Sequence, residues 1–141
     1  MPERTAVRDD LAIRRTLAIY CHHCDDGAFA ELVDQFTPHG SFSYQGEVVT
    51  GHEHLRAWFE TRQPPARRGK HLTTNSVIDI DGDRAHAVSD FMFLRLVDGS
   101  ASPVIAIAGR YRDELHRIGD RWLFDRREVQ VMSVASEAPG F

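Results

Sequence analysis

Apolar residues in the first part of the chain return at the pitch of a helix, whereas those of the second half alternate as they do in strands. From about Ala6 to Cys24, Val7, Ile13, Leu17, Tyr20 and Cys24 recur at helical spacing, with Arg8, Asp9, Arg14 and Arg15 between them. That pattern predicts an amphipathic helix. Asp25-Asp26-Gly27 predicts its end, because glycine readily takes the left-handed conformation beyond a C-cap. Ala28 to Phe36 reads as a short second helix that buries Phe29, Leu32, Val33 and Phe36, with Thr37-Pro38-His39-Gly40 breaking it. Ser41 to Tyr44 alternates as a half-buried strand, Gln45-Gly46 turns, and Glu47-Val48-Val49 follows. His52 to Thr61 carries Leu55, Trp58 and Phe59 at helical spacing until Pro64-Pro65 closes the segment.

Four β-rich runs complete the chain: Lys70 to Asp81, Asp83 to Val97, Pro103 to Ile118 and Arg121 to Met132. Asp81-Gly82, Asp98-Gly99 and Gly119-Asp120 separate them and are hairpin signals. Strands this long cannot stay flat, so they predict a strongly bent sheet. Helices first and sheet afterwards make the expected class α+β, with helices on one face of the sheet. No repeat or linker divides the 141 residues, and one domain is expected, with a core over about residues 6–132 and a tail over 133–141. The tail has two readings, a flexible end or a cover over a pocket mouth.

Charge narrows the function. A formal net charge of -4 argues against a general nucleic-acid binder. The basic run Arg67-Arg68-Gly69-Lys70 follows Pro64-Pro65 and reads as a solvated loop. No apolar run approaches the roughly 18 to 20 residues that span a bilayer, so no membrane partner is expected. Met1-Pro2-Glu3-Arg4 leads into polar sequence, no secretory signal is expected, and the expected compartment is the cytoplasm. Cys21 and Cys24 form a C-x-x-C inside a helix with no second cysteine pair, which favours a structural role over zinc or redox chemistry. His52 and His54 flank Glu53, but an i, i+2 spacing points them to different helix faces, so no metal is expected.

The chemistry-bearing residues are few. Asp25 stands five residues after Tyr20 at the end of the first helix, and His71 opens the first long strand. A carboxylate that meets an imidazole fixes its tautomer and stabilises the imidazolium formed on proton abstraction. Otherwise Asp25 is a solvated helix-end carboxylate and His71 a strand-edge surface residue. His71 is the best acid–base candidate among eight histidines, since the others read as helix-surface, loop or outward strand positions. Tyr20 could orient a substrate oxygen or could equally be core. Arg127 is a candidate for binding an anionic or carbonyl oxygen, and because Arg126 points to the opposite strand face, one of the two faces inward. Asn75 shares strand parity with His71, and Asp90 is the acidic residue in a largely apolar stretch, so both are candidate ligand contacts. Phe91, Met92, Phe93 and Leu94 are expected as cavity wall or interface, and Trp58, Phe59 and Trp122 as core.

Several blocks in order resemble the SnoaL-like branch of the nuclear-transport-factor-2-like superfamily. They are Tyr20-Cys21-His22-His23-Cys24-Asp25 with its Y-x4-D spacing, Leu32 to Phe36, Gly51-His52-Glu53, His71 to Asn75, Asp81 to Ala85, Gly109 to Leu115, Gly119 to Trp122 and Arg126-Arg127. That branch includes scytalone dehydratase, bile-acid 7α-dehydratase and lindane dehydrochlorinase, and is related to ketosteroid isomerase. The resemblance implies a cone: N-terminal helices on a strongly curved antiparallel or mixed sheet that encloses an apolar pocket. It implies that Asp25, His71 and Tyr20 are catalytic. One departure stands out. Where scytalone dehydratase carries a second pocket histidine, this chain reads Asp90-Phe91-Met92-Phe93-Leu94.

The expected function is a cofactor-independent lyase (dehydratase) or isomerase acting on a hydrophobic oxygenated small molecule such as a polyketide, steroid or aromatic compound. A non-catalytic binding or association module of the same fold remains a second class. The small subunit of a ring-hydroxylating dioxygenase, which needs an iron-bearing partner, is a third. A homodimer or homotrimer is expected from a sheet with an apolar outer face.

Overall fold

The computed structural model describes residues 2–132, with side chains from Thr5 onward. Its elements run α1 (Pro2–Asp26), α2 (Phe29–Val33), β1 (Phe36–Tyr44), β2 (Glu47–Thr50), α3 (His52–Arg62), a 3-10 turn (Pro65–Arg67), β3 (Lys70–Asp81), β4 (Arg84–Leu96), β5 (Pro103–Ile118) and β6 (Arg121–Val131). The strands form one curved, open, mixed sheet in the order β2-β1-β6-β5-β4-β3. All neighbours are antiparallel except β1 and β6, which run parallel. The α+β class predicted from the sequence is the class observed. The expected tail lies outside the described residues.

Helix α1 buries Ile13, Leu17, Tyr20 and Cys24 and exposes Val7, which the periodicity had assigned to the same stripe. The Thr16 hydroxyl donates to the Trp122 carbonyl at 2.8 Å, and the Trp122 indole donates to Asp9 at 3.1 Å, which fastens α1 across β6. The helix ends in a Schellman motif: Ala28 N–H bonds the His23 carbonyl at 2.9 Å and Gly27, at φ +70°, bonds that of Cys24 at 3.3 Å. This fixed stop sets Asp25 at the last turn, facing the start of β3.

The second helix is shorter than the pattern predicts. Phe36 belongs to β1, paired with Phe124, and Gln35 O accepts from Phe124 N–H at 2.8 Å. Pairing with β6 outweighs the local helical spacing. Thr37-Pro38-His39-Gly40 is therefore no break between elements but an irregular stretch inside β1, where the register shifts between Phe36 and Ser41. Proline is tolerated at such irregularities because no ladder donor is required of it. A Cβ on Gly40 would meet the Phe124 carbonyl oxygen at 2.8 Å, so β1 and β6 approach more closely than a side chain there permits.

Beneath the helices sits a buried ion pair. Asp113 and Arg127 are cross-strand partners on β5 and β6, both 0% exposed, with Nε to Oδ1 at 3.0 Å and Nη2 to Oδ2 at 3.3 Å. Burial pushes the Asp113 carboxyl up to about 6, against the opposing pull of Arg127. Burial by itself would lower the Arg127 guanidinium, but Asp113 first and then the surrounding Tyr111, Tyr20 and Cys21 together raise it above its ordinary value, so it stays charged. At neutral pH both partners are ionised. Removing one partner leaves the other charge buried and alone, so Asp113→Ala should cost about 3–5 kcal/mol of stability in denaturant titrations. A loss below about 1 kcal/mol would show that the pair does not organise the core.

Candidate active site

His71 is the second residue of the edge strand β3, and its outer backbone N–H is not used by β4. Asp25 takes that group. The His71 amide donates to Oδ2 at 3.0 Å and to Oδ1 at 3.2 Å, while ring Nδ1 lies 2.6 Å from Oδ1. The side chains are 9% and 6% exposed respectively. An ionised carboxylate only accepts hydrogen bonds, so Nδ1 carries the proton. The lone pair of the neutral ring is then on Nε2, at the opposite edge, where no described residue bonds it. Phe93, cross-strand from His71, stacks on the ring at 4.4 Å and 29°. Carboxylate and aromatic face together leave the imidazole one orientation.

His71 lines a cavity of about 210 Å³ between the concave face of the sheet, α1 and α3. Tyr20, Phe42, Phe59, Phe91, Phe93, Tyr111 and Val129 form its buried walls, and the exposed Arg62 and Arg67 stand at its outer end. Tyr20 packs edge-to-face against Tyr111, Phe59 and Phe124 at 5.9–6.3 Å between centroids. Neither the Tyr20 nor the Tyr111 hydroxyl has a hydrogen-bond partner among the described residues. Burial pushes both phenols well above their ordinary value, so both remain donors at neutral pH. The Arg127 guanidinium lies behind them, 4.1 Å from the Tyr20 ring centre and 3.6 Å from that of Tyr111. Arg127 faces inward yet is sealed from the cavity by these rings, so it backs the tyrosines and does not reach a ligand. Its Nη1 has no hydrogen-bond partner among the described residues.

With this geometry in view, comparison places the chain among known proteins. The family model of the SnoaL-like domain matches residues 5–128. The chain belongs to the SnoaL-like domain family. Solved structures share its fold. A function-unknown protein from Mycobacterium tuberculosis superposes with a TM-score of 0.89 at 26% identity, covering 96% of this chain and 79% of that one. A scytalone dehydratase candidate from Novosphingobium aromaticivorans gives 0.81 at 24% identity, covering 94% and 89%. An NTF2-like protein of cystatin-like fold from the same organism gives 0.86 at 20%, covering 96% and 89%. No curated protein matches the sequence.

In this SnoaL-like chain His71 borders two cavities: with Tyr20 it lines the one of about 210 Å³, and with Asp25 and Asn75 it lines another of about 490 Å³ between α1 and β3, whereas Asp90 lines neither. The register of β3 slips between Thr74 and Val77, with Asn75 at φ +53°. That bulge carries Asn75 off the His71 face, and the inward positions become Ser76, Ile78 and Ile80. Asp90 points to the outer face, where it pairs with Arg110 at 2.8 Å and receives a long contact from Asn75 at 3.4 Å. Hydrogen bonding from Arg110 first, then from Asn75, holds its carboxyl below the usual range. Sequence reading missed Tyr111, Arg95 and Asp113 and assigned Trp58 to the core, although Trp58 lines the cavity. Parity held the signal for Asp113: it lies two residues from both Tyr111 and Leu115, which are buried.

Cys21 and Cys24 are buried and unpaired with each other. The Cys21 thiol lies 3.2 Å from the Thr73 hydroxyl. Burial pushes Cys24 up to about 12 and raises Cys21 as well. Both thiols should therefore resist Ellman's reagent at about pH 8 in the folded protein and react after unfolding; rapid native reaction of either would contradict this burial. For the site itself, and apart from His54, whose Nδ1 lies 3.2 Å from the Thr50 carbonyl, two-bond ¹H–¹⁵N spectra at alkaline pH should show His71, assigned by the signals lost in His71→Ala, protonated at Nδ1. Asp25→Ala should return that ring to the Nε2–H tautomer, and finding Nε2–H in the unaltered protein would contradict the geometry.

Proposed function

We propose that this protein is a cofactor-independent lyase or isomerase acting next to a carbonyl group of a small aromatic or polyketide-like substrate. The observation that supports it is the Asp25-held imidazole of His71 on the wall of a cavity that also presents two unpaired tyrosine hydroxyls. His71 Nε2 removes the proton α to the carbonyl, and the C–H electron pair moves into an enolate. Asp25 stabilises the imidazolium that results. Tyr20 and Tyr111 donate to the enolate oxygen, in a site dry enough to strengthen such bonds. The proton on Nε2 then leaves with a β-hydroxyl as water, which is dehydration, or returns at another carbon, which is isomerisation. Fold likeness to the scytalone dehydratase candidate supports the first outcome without fixing the reaction.

The volume bears on the substrate. The tyrosine-lined cavity equals about seven waters at roughly 30 Å³ each, which suits a one-ring body there, while the cavity of about 490 Å³ that His71 also lines has room for a larger group. A series of aryl β-hydroxyketones, followed by the absorbance of the enone formed, tests the reading. His71→Ala and Asp25→Asn should each slow elimination by about 10²- to 10⁴-fold with the melting temperature little changed. Undiminished turnover in either variant would sink the mechanism. Tyr20→Phe should lower kcat more than it raises KM, because its bond strengthens as charge develops on oxygen.

A further inference from the structure

The outer end of the cavity carries positive charge and no negative charge. Arg62, Arg67 and Arg95 all line it, and no aspartate or glutamate does. Arg62 is partly neutralised by Glu47 at 2.9 Å and lies over the Trp58 ring at 5.3 Å. Arg67 and Arg95 have no carboxylate partner among the described residues. Arg95 is half-buried, and its one bond is a long one, 3.5 Å from Nη2 to the Ala66 carbonyl. That bond ties it to the 3-10 turn that carries Arg67. Two further donors complete the set: Arg95 Nε and the Trp58 indole N–H are both shut off from solvent and both without a partner among the described residues. Sealed donors left unpaired are costly, and here two occur at one cavity beside uncompensated guanidinium charge.

We infer that the ligand is an amphipathic anion: an apolar, one-ring body against the aromatic walls, and an oxyanion head, carboxylate or phosphate, held by Arg95 and Arg67. This rests on the cavity being the reaction site proposed above and names the class of substrate it takes. Guanidinium groups match the paired oxygens of such heads, and partial burial strengthens the bond. The separation fits the chemistry. Tyr20, Cys24 and Tyr111 lie deep, with His71 beside them, while the arginines stand where exposure rises. The charged head therefore fixes which end of the substrate reaches His71.

Calorimetric titration with 3-phenylpropanoate, phenyl phosphate and the neutral 3-phenylpropanamide tests the inference without requiring turnover. The carboxylate, the phosphate or both should bind at least about tenfold tighter than the amide, and added salt should narrow the gap. Arg95→Gln should reduce the preference to about twofold or less while the amide affinity stays unchanged. Arg67→Gln, at an exposed position, should reduce it partway and guards against misfolding of the Arg95 variant. Whichever anion binds more tightly identifies the head group. Equal binding of anions and amide, an anion preference undiminished in both variants, or no binding of any probe at millimolar concentration would overturn the inference. His71→Ala leaves the anion preference intact, so a failure of the proton-transfer mechanism is read separately.

Discussion

The account depends on one carboxylate. Asp25 stands where a glycine-terminated helix meets the first free edge of the sheet, and it accepts both the amide and the ring N–H of His71. The same contact closes a strand edge that would otherwise present an unpaired donor and selects the tautomer of a potential base. Structure and chemistry share a single interaction here. One residue inserted or deleted between the packed face of α1 and Asp25 would turn the carboxylate through about 100° and lose it.

Behind that wall the protein keeps a second charged pair wholly out of solvent. Arg127 and Asp113 gain from two hydrogen bonds and from the rings of Tyr20, Tyr111 and Phe124 packed around the guanidinium. Tyr20 and Tyr111 are consequently held from behind, with their hydroxyls left unbonded. The cavity thus has a fixed polar floor within apolar walls, and its cations are confined to the outer end. Such a gradient orients a substrate before any bond is broken.

Much of this was legible in the sequence, and the failures share one cause. Strand limits at Lys70–Asp81 and Pro103–Ile118 match because aspartate–glycine and glycine–aspartate turns mark them locally. Facing is a different matter, since one extra residue inverts it. On β6 the register shifts opposite Glu114 and Leu115, so Trp122 and Phe124 face inward and so does Arg127, where unbroken alternation would have turned Arg126 in. The bulge at Asn75 did the same on β3. Phe36 entered β1 because a parallel partner far along the chain claimed it, which no local window records. Arg95 and Trp58 escaped notice because their significance lies in what they lack, a hydrogen-bond partner.

The most direct test of the central claim follows hydrogen and not product. Incubating aryl methyl ketones with the protein in deuterium oxide, and reading loss of the α-proton signal by NMR, reports proton abstraction even where no leaving group is present. The account predicts that the unaltered protein accelerates exchange and that His71→Ala reduces it to the buffer rate. Exchange at the buffer rate with the unaltered protein, or acceleration that survives the loss of His71, would contradict it.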